Sequence, residues 1–144
     1  IVYKKILVTL ENSRTDEAIL RHIERLAKPL GSNLLLVHVA DGWMARHRER
    51  LNLAESEEMR VDRAYLEGVR ARFAAAGITA ETQLLWGEPA DEIVKIAETS
   101  GVDLIAMSTH GHRFLADLLY GSIANKVRHT VDIPVLLLKA PADL

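Results

Sequence analysis

Five short apolar runs alternate along the chain with longer segments whose apolar residues recur at helical spacing. Lys4 to Leu10 predicts a strand, with Ile6, Leu7 and Val8 in succession. From Arg14 to Leu30, the residues Ala18, Ile19, Ile23, Leu26, Ala27 and Leu30 fall on one helix face, and Gly31 is placed to end it. Ser13 or Thr15 is expected to cap this helix. Asn33 to Ala40 (NLLLVHVA) predicts a second, continuously apolar strand. The polar section Asp41 to Met59 predicts loop and then helix. The helix becomes clear where Tyr65, Leu66, Val69, Phe73 and Ala76 line one side ahead of Gly77. Ile78 to Trp86 alternates in part, as a strand at or near a sheet edge does.

The second half repeats the rhythm. In GEPADEIVKIAETSG, Pro89 suits a first helical turn, and Asp91 and Glu92 suit the positive end of the helix dipole. Ile93, Ile96 and Ala97 form the stripe to be buried, and Gly101 is the stop. Val102 to Met107 predicts the fourth strand, Ser122 to His129 a helix, and Ile133 to Lys139 the fifth strand, with Pro134 near its start. Continuous apolar strands mean burial on both faces, hence a parallel sheet between helical layers. Right-handed crossovers make this a doubly wound, Rossmann-like α/β fold, expected as a single domain over residues 1–144.

Composition narrows the function classes. A net charge of −2 with no polybasic stripe gives no reason to expect nucleic acid. No run approaches the roughly 18 apolar residues that cross a bilayer, so no membrane insertion is expected. The absence of cysteine excludes disulfides and thiolate chemistry and fits a reducing compartment; a cytoplasmic location is the expectation. The chain opens on Ile1 rather than Met, which admits a domain cut from a longer protein.

Candidate chemistry concentrates in STHGHRFLADLLYGS, Ser108 to Ser122. Ligands of open α/β sheets sit beyond the carboxyl ends of the strands, where strand order reverses. If the first and fourth strands are neighbours, Thr9 to Asn12 and Ser108 to Gly111 border that crevice. A helix starting at Gly121-Ser122 would offer free amides and its positive dipole end to a phosphate. The competing reading makes Gly111 a simple turn and Leu115, Leu118 and Leu119 core. Neither a Walker A sequence nor GxGxxG occurs.

YKKILVTLENS, LLLVHVAD, GEPADEIVKIAETSGVDLIAMSTHG and GSIANKVRHTVDIPVLLL together resemble the universal stress protein family over essentially the whole chain. The resemblance implies a five-stranded parallel sheet of the adenine nucleotide alpha hydrolase-like type and a homodimer formed through the last strand, here Ile133 to Lys139. It implies ATP or AMP as ligand, with Mg2+ admitted as a companion ion. Nucleotide-binding members carry a glycine, two residues, a glycine, nine residues, then glycine and serine or threonine. Here Ser108 stands for the first glycine, Gly111 is the second, and Gly121-Ser122 closes the motif. The family's nucleoside-contacting aspartate falls on Glu11, the backbone position facing adenine on Val39, and the residue after the closing pair is Ile123. The expected nucleotide site is therefore Thr9, Glu11, Val39, Ser108, His110, Gly111, Gly121, Ser122 and Ile123. Ser108 in a left-handed conformation would cost about 1–2 kcal/mol, and an extended Ser108 nothing. Glu11 is longer than aspartate by roughly 1.5 Å, which displaces its carboxylate unless the side chain folds back.

Other constellations carry less. His38, His110 and His112 suggest a metal site only faintly, since no carboxylate or cysteine keeps a fixed spacing to them; no metal is expected. His110 is more simply a loop-orienting residue, and Arg113 a solvated one. No G-x-S-x-G or comparable signature marks an activated nucleophile, so no catalytic residue is assigned, and slow ATP hydrolysis is the most that is expected. The segment Trp43 to Arg63 reads as a solvated helix face laced with ion pairs, or as a flap over the crevice. Trp43, Trp86 and Met107 read as packing residues. Two functions follow: a dimeric nucleotide-binding regulator with an unidentified protein partner, or an interaction or accessory domain, as of a transporter or kinase, that binds no nucleotide.

Overall fold

The structure, a computed structural model, describes residues 2–40, 57–109 and 114–139. Its elements run β1 (Lys5–Thr9), α1 (Asp16–Leu30), β2 (Asn33–Ala40), α2 (Glu57–Ala75), β3 (Ala80–Trp86), α3 (Pro89–Thr99), β4 (Leu104–Ser108), α4 (Phe114–Thr130) and β5 (Val135–Leu138). The sheet has five strands in the order β3-β2-β1-β4-β5, all pairs parallel. Because parallel neighbours cannot be joined by a tight turn, each connection carries a helix back across the sheet.

Side chains alternate across each strand, and the two sets meet different helices. On the first face, Ile6 and Val8 of β1, Leu34 and Leu36 of β2, and Leu104 and Ala106 of β4 pack with Ile19, Ile23 and Ala27 of α1 and Met59, Leu66, Val69 and Phe73 of α2. On the second, Leu7, Leu35, Val37, Ile105 and Met107 pack with Ala90, Ile93 and Ala97 of α3 and Ala124 and Val127 of α4. Burial on both sides is why the central strands read as unbroken apolar runs. The Met107 side chain is fully buried, as its place in the fourth run predicts.

Edges behave differently. On β3, Leu84 is buried while its neighbours are partly or fully exposed. Trp86 at its end keeps 37% of its surface in solvent and so fills the core only in part, short of the packing role expected for it. None of the β5 side chains reaches full burial.

The ladders of β1, β3 and β5 start one or two residues later than the runs read for them, at Lys5, Ala80 and Val135, and three further features depart from the sequence reading. The ladder of β4 begins at Leu104 because the Asp103 carboxylate takes the Lys4 and Lys5 amides at 2.8 and 3.1 Å, holding the chain just ahead of the strand. Thr15 occupies the N-cap of α1 without a capping bond; its hydroxyl and that of Ser13 both reach the Glu11 carboxylate instead. The last helix starts at Phe114 rather than at Ser122. Between them lies Leu-Ala-Asp-Leu-Leu-Tyr-Gly, rich in alanine and leucine, the strongest helix formers, and free of proline. At the other end of α1, Gly31 takes φ +69° and its amide closes on the carbonyls of the last turn, as expected of a glycine stop.

Candidate functional site

The paths out of β1 and β4 diverge: β1 leads to α1 on the first face, whereas β4 leads to α4 on the second. Their carboxyl ends therefore flank a crevice at the point where strand order reverses, the place where ligands of such sheets bind. Apolar side chains give way to polar ones there. On the first face, β2 runs Leu34, Leu36, His38 and β4 runs Leu104, Ala106, Ser108.

The loop after β1 is built on one buried carboxylate. Asp16, 1% exposed at the first position of α1, accepts the Glu11 amide at 3.0 and 3.1 Å and the Asn12 amide at 2.9 Å. Asn12 has φ +60°, a left-handed conformation that asparagine tolerates better than most residues. The turn throws the Glu11 side chain back on its own loop. There Oε2 accepts the Ser13 hydroxyl at 2.9 Å and the Thr15 hydroxyl at 2.7 Å. The extra length of glutamate over aspartate is thus taken up by folding back.

Helix α2 reaches the same loop from above. Tyr65 donates its hydroxyl to Asp16 Oδ2 at 2.6 Å, and Asn12 donates its side-chain amide to Asp62 Oδ1 at 2.8 Å. His38 Nε2 lies 3.4 Å from Asp62 Oδ2. Its Nδ1 is 2.8 Å from the Leu10 carbonyl, which can only accept, so Nδ1 carries the proton. Burial pushes the Asp16 carboxyl above its ordinary value, opposed by the Tyr65 hydroxyl and the loop amides. Burial and the Asp16 carboxylate push Tyr65 far above the usual phenol range, so it stays a donor throughout the physiological range.

The expected nucleotide residues fall into three groups. Thr9 ends β1, Glu11 follows it, Val39 lies on β2 opposite Leu85, and Ser108 ends β4 opposite Leu138. Strand order brings β1, β2 and β4 side by side, so these four sit at one end of the sheet. Ser108 is extended, without positive φ, so replacing glycine there carries no backbone penalty. Its hydroxyl is buried and has no hydrogen-bond partner among the described residues. Gly121, Ser122 and Ile123 lie in α4, past its first turn; Ser122 is exposed and Ile123 half-buried. Their amides belong to the internal ladder and not to a free helix end, because the helix starts at Phe114. His110 and Gly111 lie outside the described residues, as do His112, Arg113, Trp43 and most of the Asp41 to Met59 section.

Chain comparison supplies the family. The model of the universal stress protein family matches residues 2–139. This chain belongs to that family. The universal stress protein MJ0577 of Methanocaldococcus jannaschii is 29% identical over 96% of this chain and 96% of its own. A solved structure of MJ0577 superposes with a TM-score of 0.84 at 30% identity, covering 98% of this chain and 99% of that one. A universal stress protein in complex with cAMP matches at TM-score 0.70 and 20% identity, covering 96% of this chain and 98% of the other. One from Archaeoglobus fulgidus in complex with dAMP matches at 0.69 and 22%, covering 96% and 100%. At those identities the last two speak for the fold alone.

Within this universal stress protein fold, the sequence reading missed the polar group behind Glu11. Asp62 shares a buried stripe with Met59, Leu66 and Val69, and an acidic residue at such a position was the available signal. His38 was visible as a polar interruption of an apolar strand, but its partner on α2 was not. The exposed remainder of α2's first turns, with the Arg60–Glu57 ion pair, fits the solvated-face reading. Among the described residues no cluster of three potential metal ligands occurs, and no helix is long and apolar enough to cross a membrane.

Proposed function

We propose that this chain binds an adenine nucleotide, ATP or AMP, at the β1/β4 crevice and works as a cytoplasmic, dimeric regulator or sensor, not as a fast enzyme. The observation that carries the reading is the strand-order reversal at β1 and β4, with the ordered Glu11 loop on one side and, at the other strand's end, a buried Ser108 hydroxyl that has no hydrogen-bond partner among the described residues. Relatives of the same fold have been solved with cAMP and dAMP, which supports an adenine nucleotide as the ligand class. Thr9, Glu11, Val39 and Ser108 form the sheet side of the proposed site, and Gly121, Ser122 and Ile123 of α4 are assigned to its other side; His110 and Gly111, also assigned to it, lie outside the described residues.

For the Gly121 and Ser122 amides to meet a phosphate, the helix must start later than Phe114. Nucleotide binding is then coupled to unwinding of the first turns of α4, a change that a partner protein can sense. Mg2+ would accompany the phosphates, keeping several of its waters. Dimerisation through Ile133 to Lys139 is supported by β5, an apolar edge strand left incompletely covered in one chain. Equilibrium titration with labelled ATP and AMP tests the reading; saturation below millimolar nucleotide supports it, and its absence refutes it. The second reading, an interaction or accessory domain that keeps the fold without nucleotide, has the helical Gly121-Ser122 on its side. Purified protein free of nucleotide and unshifted in melting temperature by ATP would establish it.

A further inference from the structure

We propose that Tyr65 and Asp62, both on α2, are positioning residues that hold the Glu11 loop in its ligand-ready shape. The inference rests on the nucleotide reading for its purpose but on the geometry alone for its first step. A loop carrying a residue in left-handed backbone conformation needs to be over-determined by its surroundings, or it relaxes. Asn12 is that residue, and both of its amide groups are held: the main-chain N–H by Asp16 and the side-chain amide by Asp62. Asp16 is held in turn by Tyr65, and Asp62 faces His38 on β2. The two contacts from α2 bridge 49 and 50 residues of sequence, so the loop's shape depends on where that helix lies. Neither Tyr65 nor Asp62 needs to touch the ligand; each acts through the loop backbone that carries Glu11.

Tyr65→Phe removes one hydroxyl and keeps the ring, and Asp62→Leu removes the acceptor of the Asn12 side-chain amide while keeping a side chain of similar size. Amide hydrogen exchange is measured on the full chain without ligand, followed by titration with AMP and with inorganic tripolyphosphate. The expected result is exchange at Glu11 and Asn12 at least about tenfold faster in each variant, the equivalent of losing one hydrogen bond to a charged group. Exchange at Ala106 and Val127, in the core of the sheet and of α4, stays at the wild-type rate. AMP affinity falls by about tenfold while tripolyphosphate affinity holds, because the polyphosphate does not use the nucleoside-facing loop. Wild-type exchange at Glu11 and Asn12 in both variants overturns the proposal, as does faster exchange with AMP affinity unchanged. A uniform rise including Ala106 and Val127 also overturns it, since that is general destabilisation. If wild-type protein binds no AMP but exchange changes as expected, the positioning role stands and the nucleotide reading falls.

Discussion

The two faces of the sheet are packed by different means. On the second face, α3 and α4 are held by aliphatic contacts, and an ion pair between them, Lys126 with Asp91, is more than half exposed. The first face has an equally apolar floor but a polar upper end, where Asp16, Asp62, Tyr65 and His38 link both helices to the loop after β1. Apolar packing is tolerant in direction, whereas a buried carboxylate is tolerable only with its donors in place. The second face thus supplies stability, and the first also fixes the shape of one side of the crevice.

Truncating the floor should show that the faces are alike in stability. Phe73→Ala on the first face is expected to cost about 3–5 kcal/mol and Ile105→Ala on the second about 2–5 kcal/mol. Denaturant unfolding measures both, and losses below 1 kcal/mol would show that the sites collapse around the gap. Removing an acid should then separate the faces. Asp16→Ala strands the Glu11 and Asn12 amides and the Tyr65 hydroxyl and should cost about 1–3 kcal/mol. Asp91→Ala, at an exposed pair, should leave the unfolding midpoint where it is. Equal costs would erase the distinction.

Gly121→Val probes the second face's share of the crevice. Within a helix that starts at Phe114, valine replaces the poorer helix former, so the fold should keep its stability or gain a few tenths of a kcal/mol. A ligand that needs the backbone at Gly121 to come close would be blocked, with saturable AMP binding lost. Binding that survives moves the phosphate site away from Gly121-Ser122.

What the sequence disclosed follows the same division. Strand β2 appears with the bounds read from NLLLVHVA, and of the Ile93, Ile96, Ala97 stripe of α3 the first and last are buried and Ile96 half-buried, because apolar periodicity is a local signal. Helix α4 starts at Phe114 and not at the closing glycine–serine pair of the motif, because the helix propensity of residues 114–121 carries the helix back across it. Asp16 was legible as an acid in a first turn, but its work lies in accepting amides four and five residues earlier and a hydroxyl from α2. No periodicity encodes a contact between residues that far apart in the chain.

A smaller electrostatic link between α1 and α2 separates their docking from the buried network. Arg72 of α2 grips Glu17 of α1 with two bonds, 2.8 and 2.9 Å, and this guanidinium holds the Glu17 carboxyl below its ordinary value, with partial burial opposing. A lowered carboxyl favours the folded state above its unfolded value of 4.5, and that contribution is lost as pH falls through the native value. Asp16, raised by burial, has the opposite sign: its burden is present at neutral pH and is relieved as the carboxyl takes up a proton on the way down to 3.8. Since both partners of the Glu17–Arg72 pair are about 40% exposed, solvent screening limits it to roughly 0.2–1 kcal/mol. Glu17→Gln should therefore lower stability slightly at pH 7 and converge on the wild type as pH falls below 4.5 and through the native value, with the gap at pH 7 narrowing in high salt. Parallel unfolding curves taken across that range measure it. A gap that stays constant over the whole acid range in which the fold persists would mean that Glu17 joins the helices by packing rather than by charge, leaving the buried network as the electrostatic tie between α1 and α2.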